Sequence, residues 1–258
     1  MITAGIDLGA SFAKIVILED GKVIGRGITE VTLEQQEAVQ KVQELALKDA
    51  GIDRKDISAI GATGSGRHLI KDAQLYVTDV TADAAGAHEI DKTIKTVIDV
   101  GGEEARAVKV GEDGKAVNSA VNDKCAAGAG AFCEAMARAM QLSLEDFAAY
   151  SLRSTKRIPI NAQCVIFAES EVVSLVSDEV PREDICRAVH DGIAERITSM
   201  SKRVGIEEKV GLIGGAVLNQ GLTQSIKDGL GTDLIVLPDP LYVSALGVAV
   251  LVARDTGD

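Results

Sequence analysis

Residues 3–27, TAGIDLGASFAKIVILEDGKVIGRG, predict two hairpins in succession. An apolar strand ends near Asp7, a tight polar turn follows over residues 9–11, and a second strand covers residues 14–18. The pair Asp20-Gly21 predicts a tight turn into a third strand. An Asp at the end of an apolar strand can hold a hydrated magnesium ion, and the glycine after it lets backbone N–H groups approach phosphate oxygens. Alone, this pattern usually marks only a hairpin.

The same pattern returns at a constant offset of 92 residues, which indicates an internal duplication. The matched pairs are Asp7 with Asp99, Gly9 with Gly101, Ala13 with Ala105, Lys14 with Arg106 and, after a one-residue insertion, residues 20–22 with 113–115. Each half is predicted to contain three strands followed by a helix and a strand. Such halves fold as α/β units around a mainly parallel sheet with one antiparallel hairpin.

A third glycine turn is predicted within residues 210–222, VGLIGGAVLNQGL. An apolar strand leads into Gly214-Gly215 and a helix start, which would let an adenine or ribose edge approach bare backbone. The alternative is an ordinary strand-to-helix turn. The other predicted elements are helices over 33–50, 81–91, 182–204 and 244–253, strands over 57–62 and 234–237, and a turn over 63–67.

Two of the four cysteines, Cys125 and Cys164, lie at predicted helix starts. In NDKCAAGAGAFCEAMA (residues 122–137) a helix is expected just after Cys125, and in NAQCVIFAESEVVSLV (residues 161–176) a helix is expected from residue 165. Unpaired N–H groups at a helix N-terminus favour a thiolate and would stabilise an anionic iron–sulfur cluster. A four-iron cluster usually needs four thiolates, so two per chain suggest one cluster bridging two chains.

The alternative for the first cysteine stretch is a Gly/Ala-rich helix start in which Cys125 is a small buried apolar residue. Cys133 and Cys186 lie inside apolar helical patterns and are predicted to be core residues. In the helix after Cys164, Phe167, Val172 and Leu175 are expected to share much of one face.

The composition of the 258 residues, 46% of them apolar, is that of an ordinary globular protein with a sizeable core. A formal net charge of −12 without a Lys/Arg run argues against nucleic-acid or anionic-membrane binding. The longest apolar stretch, residues 245–253, is too short to span a bilayer, and no secretory signal is evident, so a cytoplasmic protein is expected. His68, His88 and His190 form no metal-ligand spacing and are interpreted as surface or helix residues.

The two Asp-x-Gly hairpins and the later Gly-Gly turn resemble those of the acetate kinase, sugar kinase, Hsp70 and actin superfamily. With NDKCAAGAGAF and NAQCVIFAESEV added, nearly the whole chain resembles a narrower family, the ATPase activators of 2-hydroxyacyl-CoA dehydratases and the ATP-binding subunits of benzoyl-CoA reductase. The resemblance implies an α/β fold of two duplicated actin-like (ribonuclease H-like) halves, with mixed sheets flanked by helices and a nucleotide cleft between them. We expect residues 1–92 and 241–258 in one half and residues 93–240 in the other.

The resemblance also implies ATP hydrolysis with Mg²⁺, coupled to transfer of a low-potential electron from reduced ferredoxin or flavodoxin to an iron–sulfur partner, an acyl-CoA dehydratase or a benzoyl-CoA reductase component. A 4Fe-4S cluster would bridge two chains, each contributing Cys125 and Cys164. The implied catalytic residues are Asp7, Asp99 and Glu103, and the implied nucleotide-binding residues are Gly9, Ala10, Ser11, Lys14, Gly101, Gly102, Gly214, Gly215 and Asn219.

The second loop departs from the pattern usual in dehydratase activators. These carry Gly-Gly-Gln-Asp where this chain has Gly-Gly-Glu-Glu over residues 101–104, which looks closer to the benzoyl-CoA reductase subunits. A homodimer and a heterodimer with a related ATPase subunit therefore both stay open, and Glu103, or else Glu104, would orient the attacking water. Two other readings stay open: a small-molecule kinase of the same superfamily, and a nucleotide-binding scaffold bridged by zinc.

Overall fold

The computed structural model describes residues 1–122, 130–160 and 164–256 and contains both strands and helices. The strands are β1 (Ile2–Leu8), β2 (Phe12–Glu19), β3 (Lys22–Glu30), β4 (Ala59–Thr63), β5 (Leu75–Tyr76), β6 (Thr96–Val100), β7 (Ala105–Val110), β8 (Ala116–Asn122), β9 (Val210–Ile213) and β10 (Leu234–Val236). The helices are α1 (Gln35–Ala50), α2 (Asp79–Ile90), α3 (Gly130–Ala139), α4 (Leu144–Arg153), α5 (Val165–Ser177), α6 (Arg182–Lys202), α7 (Gln220–Leu230) and α8 (Val243–Asp255).

The chain divides into two compact units. The first comprises Met1–Val97, Val108–Asn118 and Leu237–Asp258, and the second comprises Ile98–Ala107 and Ser119–Val236. The expected boundaries near residues 92 and 240 stay a prediction. None of the helices in the described ranges is long and apolar enough to cross a membrane.

The first sheet has the strand order β3-β2-β1-β4-β5. Strands β1, β2 and β3 form antiparallel pairs, whereas β1 with β4 and β4 with β5 are parallel. The expected mainly parallel sheet with one hairpin is therefore wrong, because half of its strand pairs are antiparallel. The physical reason is that two tight turns join the first three strands, whereas β4 follows helix α1 and so returns in the parallel direction.

Helix α8 packs closely on the first sheet because a glycine faces it from β1. A Cβ added at Gly5 would lie 2.0 Å from the carbonyl oxygen of Ala245 and 2.4 Å from the amide nitrogen of Ala249. Helix α2 in turn meets α8 at Gly247, where an added Cβ would lie 1.9 Å from the carbonyl oxygen of Ala82. This packing holds β1, and hence the loop at its end, in a fixed position.

The second sheet has the order β10-β9-β6-β7-β8. Its core includes Phe132 and Met136 from α3 and Phe147 from α4, all fully buried. Cys133 and Cys186 are also buried, which confirms their prediction as core residues. Burial raises the pKa of both thiols to about 12.

One histidine and one helix face can be compared with the sequence-based expectations. His190 lies in α6, which agrees with its interpretation as a surface or helix residue, and it is completely buried against the Phe147 ring at a centroid distance of 4.6 Å. On α5, Ala168 and Val172 face the core, whereas Phe167 is 65% exposed. Phe167 and Val172 are five residues apart, so at 3.6 residues per turn they cannot share a face.

Candidate functional site

The first candidate loop joins β1 to β2 in the first unit. Asp7 at the end of β1 is paired with Lys14 of β2, and Lys14 Nζ donates to Asp7 Oδ2 at 2.9 Å. Gly9 N donates to the carbonyl oxygen of Phe12 at 3.2 Å, which closes the turn. Ala10 and Ser11 are exposed at its tip. The loop therefore presents backbone and a hydroxyl to solvent beside a largely buried carboxylate.

The second candidate loop, between β6 and β7 in the second unit, repeats this geometry. Arg106 donates through Nη2 to Asp99 Oδ2, in the place that Lys14 has beside Asp7. Gly101 N donates to the carbonyl oxygen of Glu104 at 3.0 Å. The duplication found in the sequence is thus also present in the side-chain pairing and in the turn that closes each loop.

A further correspondence lies in the glycine turns that follow β4 and β9. Gly64 and Gly214 have left-handed φ values of 91° and 92°. A Cβ added at Gly64 would lie 2.7 Å from Asp7 Oδ1, and one added at Gly214 would lie 2.3 Å from Asp99 Oδ1. From the sequence, residues 63–67 are predicted only as a turn. These residues have a Gly-x-Gly pattern directly after an apolar strand. That pattern could have predicted that this turn is the counterpart of the one at Gly214-Gly215.

The two loops differ in their acidic residues. Arg106 bonds Glu104 through Nη1 as well as Asp99 through Nη2, so the Glu104 carboxylate is already paired. Glu103 is exposed, and its side chain makes no hydrogen bond or ion pair with a residue that the structure describes. Of the two candidate water-orienting residues, Glu103 therefore has the carboxylate that is available.

The second loop is bonded directly to the first turn of α3. Gly130 N donates to the carbonyl oxygen of Gly101, and Ala131 N donates to that of Gly102, both at 3.0 Å. A Cβ added at Gly130 would lie 3.5 Å from Gly101 O and 3.7 Å from Ala216 Cβ, so the helix start also approaches the third glycine loop. A displacement of residues 101–102 would thus act on α3 without an intermediate residue.

The third candidate loop runs from Gly214 through the short helical turn Ala216–Leu218 to Asn219. Asn219 caps α7, and its Oδ1 accepts from Leu222 N at 3.1 Å. Its Nδ2 is buried and has no hydrogen-bond partner among the described residues. Both polar ends of this side chain are thus accounted for within the loop, one as the cap of α7 and one as a buried amide nitrogen, and the backbone near Gly214 and Gly215 lies at the start of the same loop.

Cys164 is the N-cap residue of α5, as predicted from the sequence. Its backbone is extended (φ −139°, ψ 135°), its side chain makes no capping hydrogen bond, and it is half-buried. An accessible thiol at a helix N-terminus suits a metal–sulfur ligand. Cys125 lies outside the described residues, and α3 is described from Gly130 onward.

The side chains that could bind metal can be compared with the two implied cofactors, an iron–sulfur cluster and Mg²⁺. Within residues 1–122, 130–160 and 164–256, no group of three or more His, Cys, Asp or Glu side chains forms a metal site. A single accessible cysteine fits a cluster whose other ligands come from Cys125 and a second chain. Asp7 and Asp99 supply the carboxylate oxygens that Mg²⁺ prefers, usually together with water and substrate phosphates.

Residues 4–253 match the model of the BadF/BadG/BcrA/BcrD ATPase family. The chain is 36% identical to the activator of lactoyl-CoA dehydratase of Anaerotignum propionicum, with 96% of each chain covered. It is 26% identical to a benzoyl-CoA reductase subunit of Thauera aromatica, covering 96% of this chain and 92% of that one.

Two solved structures are similar to this chain over at least 97% of their length. Component A of (R)-2-hydroxyglutaryl-CoA dehydratase from Acidaminococcus fermentans superposes with a TM-score of 0.94 at 33% identity, covering 100% of both chains. The activator of the 2-hydroxyisocaproyl-CoA dehydratase from Clostridium difficile, solved with bound ADPNP, gives a TM-score of 0.91 at 32% identity, covering 100% of this chain and 97% of that one. The expected actin-like α/β fold with mixed, helix-flanked sheets is confirmed.

Proposed function

Since this chain belongs to the BadF/BadG/BcrA/BcrD ATPase family, we propose that it hydrolyses ATP to drive a low-potential electron into an iron–sulfur acyl-CoA dehydratase or a benzoyl-CoA reductase component. The donor would be reduced ferredoxin or flavodoxin, and the location the cytoplasm. The observation that carries this proposal is the repeated loop, with Asp7 beside Lys14 and Asp99 beside Arg106. Two acidic loops of this kind suit MgATP, whose phosphates need both cation-binding carboxylates and backbone N–H groups.

In this proposal each loop binds a different part of the nucleotide. Asp7 and Asp99 hold the hydrated Mg²⁺, while the backbone of residues 9–11 and 101–102 contacts phosphate oxygens. The backbone at Gly214 and Gly215 approaches the ribose or adenine. Residues 1–92 with 241–258, and residues 93–240, stay the two halves of this proposal.

ATP hydrolysis requires a water molecule that is oriented for attack, and in this proposal Glu103 orients it. Its carboxylate is exposed on the second loop, whereas Glu104 is held by Arg106. A carboxylate within hydrogen-bond reach of the attacking water can accept its proton as the oxygen–phosphorus bond forms. Lys14 and Arg106 each bond one oxygen of the neighbouring aspartate and so fix the direction in which that carboxylate faces the cation.

The coupling from nucleotide to electron would run through α3. The carbonyl oxygens of Gly101 and Gly102 accept from the first N–H groups of this helix. Cys125 lies five residues before Gly130 in the sequence. When the second loop moves on phosphate release, the described start of α3 would move with it.

A bridging 4Fe-4S cluster would be held by Cys125 and Cys164 of each of two chains. When bound, this group stores and releases the single electron. The outer face of α5 supports association next to Cys164, because Ile166, Phe167, Val173 and Val176 are 71%, 65%, 57% and 54% exposed. The hydroxyls of Ser170, Ser174 and Ser177 donate to carbonyl oxygens one turn earlier in the helix, so these three groups are not free on this face.

Overall identity favours the activator branch of the family, and the first form of the proposal is a homodimer. The chain is 36% identical to the lactoyl-CoA dehydratase activator and 26% identical to the benzoyl-CoA reductase subunit. The Gly-Gly-Glu-Glu sequence over 101–104 keeps the heterodimer as the second form of the proposal.

The experiment that tests the proposal combines two assays on one anaerobically purified sample. We expect MgATP hydrolysis and about four irons and four sulfides per two chains, since a four-iron cluster takes four cysteine ligands. Zinc in place of iron, or ATP consumption only when a small phosphate acceptor is added, would contradict the proposal.

A further inference from the structure

The third glycine loop is supported from inside the second unit by a buried histidine. His190 of α6 is completely buried, and the first turn of α7 lies directly on its ring. A Cβ added at Gly221 would be 3.1 Å from His190 Cε1 and 3.2 Å from Nδ1 and from Ser151 Cβ. A side chain at position 221 would therefore displace the ring or the helix, and the lack of one lets the start of α7 contact the imidazole.

The contacts of His190 define its tautomer. Nδ1 lies 2.9 Å from the carbonyl oxygen of Cys186. Because a carbonyl oxygen can only accept, Nδ1 carries the proton of the neutral ring. Burial is the main influence on this group and lowers its pKa to about 4, so the ring is neutral at pH 7. Nε2 is then an acceptor, and it is buried without a partner among the described residues.

Asn219 offers the complementary donor. Its Oδ1 accepts from Leu222 N, which orients the amide so that Nδ2 is the end directed inward. Nδ2 is buried and unpaired within the described part of the chain, as Nε2 of His190 is. The two groups belong to neighbouring elements, because Gly221, two residues after Asn219 at the start of α7, would place an added Cβ 3.1 Å from Cε1 of the His190 ring. Such unpaired buried groups are rare and call for an explanation.

We propose that His190 is a positioning residue for the nucleotide: its Nε2 accepts a hydrogen bond from Asn219 Nδ2 and thereby holds the Gly214-Gly215 turn in its binding conformation. The inference rests on the proposed function, because it assigns a support to the same nucleotide site. The connection is short, since the turn Ala216–Leu218 joins the glycines directly to Asn219. A nucleotide that orders the loop would bring the two groups to full hydrogen-bond distance, and this would give both buried polar atoms a partner.

The test uses two substitutions at one position. His190→Asn can keep the hydrogen bond to the Cys186 carbonyl oxygen through its amide nitrogen but has no acceptor at the Nε2 position. His190→Gln is longer and can offer its amide oxygen to Asn219. Measured by titration calorimetry with ADP and Mg²⁺ on the full-length protein, His190→Asn is expected to weaken ADP binding roughly tenfold, the scale of one lost hydrogen bond. His190→Gln is expected to recover most of that loss.

A variant on the other partner completes the test. Asn219→Ser keeps a good N-cap for α7 but removes the donor, so it should weaken ADP binding by a similar factor. The double variant His190→Asn with Asn219→Ser should bind ADP no more weakly than either single variant, because both remove the same bond.

Several outcomes would overturn the inference. One is unchanged ADP affinity in Asn219→Ser, a variant that does not depend on how well position 190 tolerates substitution. Another is equal loss in His190→Asn and His190→Gln together with lower melting temperatures, which would mean that the ring only fills space. Strictly additive losses in the double variant would also count against it. Wild-type protein that binds no ADP would be a different failure, that of the proposed function.

Discussion

Lys14 Nζ lies 2.9 Å from Asp7 Oδ2, directly across the antiparallel pair of β1 and β2. Arg106 bonds Asp99 in the same arrangement at an offset of 92 residues in the sequence. A repeated charge pair at the end of each first strand would serve no obvious need of the fold, since each carboxylate is nearly buried and costly to desolvate. Both pairs are explained if the aspartates hold a cation and the neighbouring loops hold phosphates.

The first prediction concerns these aspartates. Asp7→Asn and Asp99→Asn should each lower MgATP hydrolysis about 100-fold or more. A neutral amide is a poor ligand for Mg²⁺, and without the cation the negative charge that develops on the phosphate oxygens is not stabilised. Steady-state phosphate release measures this. Asp20→Asn is the control: Asp20 lies on the exposed hairpin turn and bonds the N-terminus, so its substitution should leave hydrolysis unchanged. Full activity in both Asp7 and Asp99 variants would rule out this site.

The second prediction separates the two glutamates of the second loop. Glu103→Ala should reduce hydrolysis about 100-fold with little change in ATP affinity, the usual scale for a lost general base. Glu103→Gln should keep much of the activity, because Gln occupies this place in the usual activator pattern. Glu104→Gln should mainly weaken the pairing of Arg106. If Glu104→Ala rather than Glu103→Ala abolishes turnover, the water-orienting role belongs to Glu104.

The sequence alone could predict the hairpins, the duplication and the helix after Cys164, because each depends on local patterns such as Asp20-Gly21 or on strand-end glycines. It did not reveal that Gly64 lies beside Asp7 as Gly214 lies beside Asp99, since this needs strands β4 and β9 to be placed next to β1 and β6. The burial of His190 and the outward direction of Phe167 were also missed. Both depend on which side of α6 or α5 faces the core. The sequence of neither helix has a clear apolar stripe, so it does not specify that side.

The third prediction compares the cysteines. Iodoacetamide at pH 8 should alkylate Cys164 in the native, cluster-free protein and should spare Cys133 and Cys186. Burial raises the pKa of the latter two thiols to about 12, so almost no thiolate is present and the reagent has no access. Mass spectrometry of peptides reads out the pattern. In the holoprotein, Cys164→Ser should lose iron while Cys186→Ala retains it; iron retained in Cys164→Ser would remove this residue from the ligand set.

The fourth prediction concerns acid stability. The pKa of His190 is about 4 in the folded chain against 6.5 in the unfolded one, so the unfolded state binds the proton first as the pH falls. As the pH falls from 6.5 to 4, titration of His190 should therefore lower the free energy of unfolding progressively, by about 3 kcal/mol at pH 4. Urea unfolding at several pH values measures this. The His190→Asn variant, which cannot titrate, should lack this component, and identical pH profiles for both proteins would contradict the assignment.

The central claim is that ATP hydrolysis drives the electron, and one measurement tests it most directly. Reduced protein is mixed rapidly and anaerobically with its oxidised iron–sulfur partner, and electron transfer is followed by absorbance with MgATP, with MgADP and without nucleotide. We expect transfer only with MgATP, accompanied by ADP formation, and neither transfer nor ADP formation in Asp99→Asn. Equal transfer with MgADP or without nucleotide, or ATP turnover that never moves an electron, would contradict the claim.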